Sequence, residues 1–163
     1  DLMIGLAYTA ERAQFIDYLQ PAYYQCWPAF YGQPVNVARI HQYRDLQGVK
    51  VGYVLNSAYF EPFNSDSRLD KHGVPTEDQL LRMVQRGHLP LMIGTDCQVD
   101  YALSQGNASR IGKADYRPAT PVTLYLGMSK HSPHQSLRQP LLVALQNLVA
   151  SGEISVMAKR YQP

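Results

Sequence analysis

The first residues, Asp1-Leu-Met-Ile-Gly-Leu-Ala-Tyr-Thr-Ala-Glu-Arg12, join a short apolar run to a polar end that favours a helix start. The run through Leu6 predicts a buried strand, and Thr9 is a good N-cap for a helix that opens at Ala10. Arg12 would then lie in the first helical turn, directly after a strand. Open α/β sheets bind ligands at such strand ends, so this arginine can face a ligand.

Arg12 has two interpretations. As a surface arginine it would pair with Glu11 or Asp17, and exposed pairs of this kind contribute little to stability. Alternatively, its planar guanidinium forms a fork for a carboxylate, because its parallel N–H groups match the two carboxylate oxygens. The other strand ends of the chain bear on this choice.

The composition excludes several classes of partner. The chain has 163 residues, 17% of them charged, and a formal net charge of +2. This length fits one domain with a real core. Lysine and arginine are scattered, so we expect neither a nucleic-acid nor a membrane-surface partner. No apolar run approaches a membrane span, and since the chain opens on a strand we expect any signal peptide to have been removed.

The two cysteines, Cys26 and Cys97, lack the spacing of a metal knuckle or a redox pair. They can form one disulfide or remain two buried thiols, and we favour the thiols.

Strands and helices alternate along the chain, which predicts an α/β fold with mostly parallel strands. The first helix, from Ala10, should end at Pro21. Later apolar runs predict buried strands, and capping residues after them predict helices. In chain order these are a strand over 49–55, a helix from Asn56 or Ser57, a capped helix from Thr76 to Gly87, a strand over 89–95 and a helix from Asp96.

Polar residues collect where the predicted strands end. The free N–H groups of Ser57, Ala58 and Tyr59, at the start of a helix, would form an anion site. The simpler interpretation is a capped helix whose N–H groups bind water. Asp96 is likewise either a plain N-cap or a ligand contact.

Two proline-containing segments suggest crossings between two parts of the fold. Residues 21–32 are dense in aromatic residues and contain Pro28, which a strand tolerates only at an edge or a bend. Residues 116–129 carry two prolines before an alternating strand. Two crossings imply two lobes, although an edge strand with an aromatic face would explain the first segment equally well.

Catalytic and metal-binding motifs are lacking. His131 and His134 are spaced like a metal pair, but Pro133 would break the helical turn that aligns them, and no third ligand is nearby. We find no Gly-rich phosphate loop, nucleophile elbow or paired-carboxylate arrangement. We therefore expect no metal, no cofactor and no catalytic residue.

Several short motifs are spread across nearly the whole chain, and the order in which they follow one another is informative. They are Gly5-Leu-Ala-Tyr-Thr-Ala-Glu-Arg12, Pro21-Ala-Tyr-Tyr24, Asp45-Leu-Gln-Gly-Val-Lys-Val-Gly52, Gly87 before the strand over 90–95, Tyr101 after it, Gly152-Glu-Ile and Lys159-Arg-Tyr161. In this order the chain resembles the bacterial extracellular (periplasmic) solute-binding proteins of family 3, which bind polar amino acids.

The resemblance implies the type II architecture of periplasmic binding proteins, in which two α/β lobes joined by two hinge strands close over a ligand. Lobe I would comprise residues 1–31 and 121–163, and lobe II residues 32–120. The strands and helices that open lobe I in this family would precede Asp1. We expect such upstream residues, because half a lobe would expose a sheet edge and an apolar patch.

The resemblance also implies a ligand-binding set. The arginine of the Thr-x-Glu-Arg motif grips the α-carboxylate of the ligand, a role that falls to Arg12. Backbone groups of the preceding strand line the same lobe, and a helix start and a later strand end contribute from lobe II. The expected ligand-binding residues are Gly5, Ala7, Arg12, Asn56, Ser57, Ala58, Tyr59, Thr95 and Asp96.

Two positions depart from the family pattern. Ala7 stands where the family often has a threonine, so one hydroxyl contact is lost. Thr95 stands where an aspartate commonly holds the α-ammonium, with Asp96 one step along, and a one-residue slip turns a side chain to the other face. Carboxylate binding is expected, whereas recognition of an α-ammonium is left open.

These expectations describe the periplasmic substrate-binding component of an ABC-type importer. It would be a monomer that binds a small carboxylate-bearing solute, such as an amino acid, and delivers it to a membrane permease. The same module could be the ligand-sensing domain of a membrane signalling receptor. A periplasmic dehydratase-like enzyme is a further alternative, but it needs a carboxylic acid at the site. No glutamate of the chain has a convincing position for this acid. The glutamates are Glu11, Glu61, Glu77 and Glu153.

Overall fold

The computed structural model describes residues 1–107 and 110–161. Strands and helices alternate only in part of this range. The elements are β1 (Leu2–Ala7), β2 (Ile16–Cys26), β3 (Pro28–Gly32), α1 (Pro34–Val37), β4 (Val51–Val54), β5 (Lys71–Val74), α2 (Glu77–Gln85), β6 (Leu91–Thr95), α3 (Asp96–Ala102), β7 (Gly112–Lys113), β8 (Val122–Ser129), α4 (Arg138–Ala150) and α5 (Glu153–Lys159). Short 3₁₀ turns lie at Arg12–Gln14, Tyr43–Leu46 and Gln135–Leu137, and a π-helical turn lies at Leu103–Asn107.

The chain divides into two compact units. Unit 1 comprises Asp1–Cys26 and Thr123–Gln162, and unit 2 comprises Trp27–Val122. The boundaries expected from the sequence lay after residues 31 and 120, so the observed division assigns residues 27–31 and 121–122 to unit 2.

Unit 1 contains a three-stranded sheet in the order β1-β8-β2. β1 pairs antiparallel with β8, and the register shifts between Met3 and Leu6, where Gly5 has a φ of +74°. The core is formed by apolar side chains of the sheet and of α4: Leu19, Leu126, Met128 and Leu145. β1 is an edge strand, and its residues 2–4 are exposed.

Unit 2 contains a five-stranded mixed sheet in the order β5-β4-β6-β3-β7. β4 runs parallel to β5 and β6, whereas β3 runs antiparallel to β6 and β7. The sheet pleat sends Phe30 and Ile93 into one core, and Tyr31 and Met92 into another on the opposite face. Both faces of the sheet are therefore covered.

The helix predicted from Ala10 to Pro21 is wrong. The chain makes only the 3₁₀ turn Arg12–Gln14 and then enters β2. β2 lies at the edge of its sheet, so the missing N–H of Pro21 can be tolerated within a strand. The β-branched and aromatic residues that follow Phe15 favour a strand. The prediction of a helix had relied on the capping signal at Thr9 instead.

Two further expectations need correction. No helix begins at Asn56 or Ser57: after β4 the chain turns, with Asn56 at a φ of +60° and the Ser57 N–H donating to the Val54 carbonyl at 3.1 Å. The strands are not mostly parallel: β8 runs antiparallel to β1, and β3 runs antiparallel to β6 and β7, while β4 is parallel to β5 and β6. The second error arises because the order of elements along the chain does not reveal which strands pair.

Other predictions hold. The Gln79 N–H donates to the Thr76 hydroxyl at 3.3 Å, as expected for the cap of α2, and Gly87 follows the helix at a φ of +75°. β4 and β6 fall within the predicted strands. The preference for free thiols is wrong, since Cys26 and Cys97 are both disulfide-bonded.

Among the described residues, no single helix has the length and apolar character to cross a bilayer. Gln135–Ala150 and Glu153–Lys159 meet those criteria by length and composition only when taken together, and they are bent by 67° relative to each other.

Candidate functional site

Arg12 is fixed in unit 1 by its own turn. Its backbone N–H donates to the Thr9 hydroxyl at 3.1 Å, so Thr9 acts as a cap although the turn is 3₁₀. The half-buried guanidinium donates from Nη1 to the Ala7 carbonyl at 3.0 Å. The Tyr18 hydroxyl donates to the same carbonyl at 3.1 Å. The fork is therefore anchored to the end of β1.

Aromatic packing holds Tyr18, which donates to the same Ala7 carbonyl as Arg12, in place. The ring of Tyr18 lies 5.1 Å from that of Tyr8 and 5.6 Å from that of Tyr125, measured between centroids. Edge and tilted arrangements at such distances are favourable beyond the area they bury. A residue that helps to position the Arg12 fork is thus itself held in place.

Gly5 and Ala7, the other two residues expected to bind the ligand from lobe I, make their contacts through backbone atoms. The Ala7 carbonyl anchors Arg12, and the backbone of Gly5 hydrogen-bonds the phenol of Tyr23. Burial raises the pKa of Tyr23 above its ordinary value. Asp17, one of the two acids considered for Arg12, pairs with Arg138.

The residues expected in lobe II lie at one edge of the unit 2 sheet. Residues 56–59 follow β4, and Thr95 ends β6. Because β4 and β6 are parallel neighbours, these two groups share the carboxyl edge, where α/β sheets bind ligands. The structure thus brings them to one side of unit 2.

The loop over 56–59 does not present a helix N-terminus. The Ser57 N–H is used within the turn, and the Tyr59 N–H donates to Asn64 Oδ1 at 2.9 Å. The Tyr59 hydroxyl accepts from the Val54 N–H at 3.2 Å, and burial raises the pKa of this phenol. The anion site expected from free helical N–H groups is therefore not formed.

Thr95 and Asp96 are both engaged. The buried Thr95 hydroxyl donates to Gln98 Oε1 at 3.0 Å and Thr95 occupies the N-cap position of α3. Asp96 Oδ1 accepts from the backbone N–H groups of Trp27 and Cys97, each at 2.8 Å. Asp96 therefore ties the start of α3 to the residue before β3, which sequence analysis did not foresee.

Glu77 is the residue that the sequence analysis missed. It lies in the first turn of α2, which follows β5 at the same carboxyl edge. Its half-buried carboxyl group has no hydrogen bond or ion pair with any described residue, and Oε2 is 3.6 Å from the position of a Cβ built on Gly94. Burial, with the nearby charge of Asp78, raises the pKa of Glu77 to about 7.

The sequence did contain a signal for this orientation. Leu80, Leu81 and Val84, the buried residues of α2, lie three, four and seven positions after Glu77. This is the spacing of one helix face, so the phase of the apolar stripe places Glu77 on the buried side. A helix N-terminus by itself favours the charged carboxylate. Burial acts in the opposite direction and raises the pKa of Glu77.

Glu77→Gln should remove a pH dependence of stability. The folded protein holds the Glu77 proton more tightly than the unfolded chain, so stability is lost as pH rises from about 4.5 to about 7. The groups that face the carboxyl are Asp78 and Tyr59. We expect the variant to match the parent at pH 4 and to exceed it at pH 8 by on the order of 1 kcal/mol.

Urea denaturation at both pH values measures this effect. Glu153 is the matched control, because it holds the same first position in α5 but is exposed. Glu153→Gln should show no such difference between the two pH values. The prediction would be contradicted if the difference in stability between the parent and Glu77→Gln were the same at pH 4 and at pH 8.

Comparison with known proteins identifies the fold of the chain. No protein-family model and no curated protein sequence matches the chain. Solved structures do match. One is an amino acid ABC transporter substrate-binding protein of Streptococcus pneumoniae bound to L-arginine, with 20% identity and a TM-score of 0.82 over 97% of this chain and 65% of that one.

Two other solved structures are similar to the same degree. A periplasmic binding protein of Salmonella typhimurium with high arginine specificity has 19% identity and a TM-score of 0.80 over 100% of this chain and 72% of its own. A histidine kinase sensor domain with similarity to periplasmic binding proteins has 16% identity and a TM-score of 0.80 over 99% and 69%. The chain therefore has the fold of the type II periplasmic binding proteins, as the sequence resemblance implied, and spans 65% to 72% of these three chains.

Proposed function

We propose that the protein binds a small carboxylate-bearing solute, such as an amino acid, as the periplasmic substrate-binding component of an ABC-type importer. It would act as a monomer that delivers the solute to a membrane permease. Solved structures with this fold support a binding role, and one of them binds L-arginine. Binding rather than catalysis is also favoured because the similar structures are mainly binding proteins.

The anchored fork of Arg12 carries the proposal. A guanidinium held at one nitrogen by the Ala7 carbonyl has a fixed direction, so little side-chain entropy is lost when it binds a carboxylate. A charge-assisted, bidentate pair is also the strongest polar contact that one side chain can offer. Gly5 and Ala7 would line the same part of unit 1.

Unit 2 would contribute the carboxyl edge of its sheet. Residues Asn56 and Ser57 are exposed there, beside Ala58 and Tyr59. Among the residues that the structure describes, Asp96 accepts hydrogen bonds only at Oδ1, and Oδ2 has no hydrogen-bond partner there. This oxygen is therefore a candidate acceptor for the solute, with Thr95 next to it.

A ligand screen by thermal unfolding tests the proposal. Small carboxylates, including L-amino acids and succinate, should raise the melting temperature, since a ligand at a hundred times its Kd stabilises by about 2.7 kcal/mol. Succinamide is the matched control, because it keeps the shape of succinate and lacks its charge. If no carboxylate stabilises the protein, the proposed function is wrong.

A ligand-sensing domain of a signalling receptor is the second candidate. It is supported by the histidine kinase sensor domain, whose fold matches as well as that of the Salmonella typhimurium protein. Both functions require the same solute binding. Uptake of the bound solute by cells that carry the protein, and its loss when the protein is deleted, would favour transport over sensing.

A further inference from the structure

We propose that Tyr8 packs against an aromatic ring of the solute, which makes an aromatic carboxylate the preferred substrate class. The inference rests on the solute-binding function proposed above and adds a substrate class to it. It uses residues of unit 1 alone, Arg12 for the carboxylate and Tyr8 for the ring.

Three tyrosine rings form a row on one face of the unit 1 sheet. Tyr18 lies in β2 and Tyr125 in β8, and their rings meet edge to face with centroids 5.6 Å apart. Tyr8 directly follows β1, and its ring is tilted by 57° against that of Tyr18 at a centroid distance of 5.1 Å. The next residues of the two strands, Leu19 and Leu126, point into the core that α4 covers. The sheet pleat therefore places the row on the opposite face.

Tyr8 is the end of the row that is open to a further ring. It is 58% exposed, whereas Tyr18 and Tyr125 are half-buried. The contact with Tyr18 restrains the Tyr8 ring on one side. A tyrosine offers a large contact area with only two side-chain torsions, so a ring that is already restrained loses little entropy on binding.

The row lies beside the guanidinium of Arg12. The Tyr18 hydroxyl and Arg12 Nη1 both donate to the Ala7 carbonyl, at 3.1 Å and 3.0 Å. Two donors that share one acceptor atom are close neighbours, and Tyr8 is the residue directly after Ala7. A carboxylate held by Arg12 would therefore leave the rest of the solute near the exposed ring of Tyr8.

An aromatic ring fits this surface better than a saturated one. Tilted and edge-to-face ring pairs are favourable beyond the apolar area that they bury, and both contacts within the row have such geometry. A ring of the solute would extend the row by one member. A saturated ring of the same size buries at least as much apolar area but lacks the quadrupole that directs these contacts. A preference for the aromatic ring is therefore the signature of Tyr8.

Titration calorimetry of the 163-residue chain with 3-phenylpropanoate and 3-cyclohexylpropanoate tests this. The parent should bind the phenyl compound roughly 3-fold to 10-fold more tightly. Tyr8→Leu should abolish that preference and leave the affinity for propanoate, which has no ring, unchanged. Tyr8→Phe should keep the preference. Tyr161→Leu is the matched control, because it removes a tyrosine of unit 1 that is 59% exposed, and it should bind as the parent.

The outcomes separate the two proposals. If the carboxylates bind but the parent shows no preference for the phenyl ring, or Tyr8→Leu retains it, the inference about Tyr8 is overturned and the proposed function stands. If Tyr8→Leu weakens propanoate binding as much as 3-phenylpropanoate binding, Tyr8 only positions the Arg12 fork, and the inference is again overturned.

If no carboxylate binds, the proposed function fails, and 3-phenylpropanamide, which has the ring without the charge, tests Tyr8 alone. NMR of the Tyr8 ring protons measures the contact. A change in their chemical shifts with this amide, and not with its cyclohexyl analogue, would support the inference. Unchanged shifts would overturn it.

Discussion

Arg12→Ala should reduce the affinity for small carboxylates by roughly 30-fold or more, because the ligand would lose a charged, hydrogen-bonded partner. Unit 1 should remain folded. The Ala7 carbonyl would lose the donor Arg12 Nη1 but keep the Tyr18 hydroxyl as a donor. Titration calorimetry with the best ligand of the thermal screen measures the change.

Variants around Arg12 sharpen this test. Arg12→Lys keeps the charge but not the fork, so it should bind with intermediate affinity. Tyr18→Phe keeps the ring packing and removes one donor to Ala7, and it should weaken binding only slightly. Arg160→Ala removes an exposed arginine of the same unit and should bind as the parent. Unchanged binding by Arg12→Ala would show that the carboxylate is held elsewhere.

What the sequence predicted correctly depends on short-range interactions. The cap at Thr76 and the stop at Gly87 involve residues a few positions apart, and the structure forms both. The strand before Arg12 is also formed, but as an edge strand with residues 2–4 exposed and not as the buried strand expected, and a 3₁₀ turn stands in place of the expected helix. Such signals can be read in a single sequence, because the groups that satisfy each other lie within one or two turns of chain.

What the sequence missed depends on partners far along the chain. β2 is a strand because it joins the sheet of β8, which lies about a hundred residues later, and the capping signal of Thr9 could not reveal that. Asp96 was expected to be an N-cap or a ligand contact, but Thr95 holds the N-cap position of α3, and Asp96 accepts a hydrogen bond from the Trp27 N–H, far back along the chain. Tertiary contacts of this kind override local propensity.

The residues of the candidate site also fall into those that the sequence predicted correctly and those that it did not. Arg12 stood out because a motif surrounds it, and the structure anchors it where a strand ends. Residues 56–59 were expected to offer helical N–H groups, but the chain turns through Asn56 and uses two of those donors internally. Glu77 was passed over because an unpaired acid is recognised only when its burial is known. Its phase on α2 was nevertheless visible beforehand.

Phe30→Ala should have the largest effect on stability and lower the free energy of unfolding by about 3–5 kcal/mol. Phe30 is fully buried in β3 and packs against three aromatic rings. Its centroid lies 5.8 Å from Tyr116, 6.0 Å from Phe63 and 6.4 Å from Phe60. Removal of the ring would leave a cavity and break three edge or stacked contacts at once.

Urea denaturation of Phe30→Ala, Phe30→Leu and Phe15→Ala gives a graded test. Leucine refills part of the cavity and should recover part of the loss. Phe15 is exposed, so the same deletion there should change stability by only about 0.5 kcal/mol. Because β3 is hydrogen-bonded to β6, which ends at Thr95, Phe30→Ala should also weaken solute binding when unfolding is significant. Equal losses for Phe30→Ala and Phe15→Ala would mean that this aromatic cluster does not hold unit 2 together.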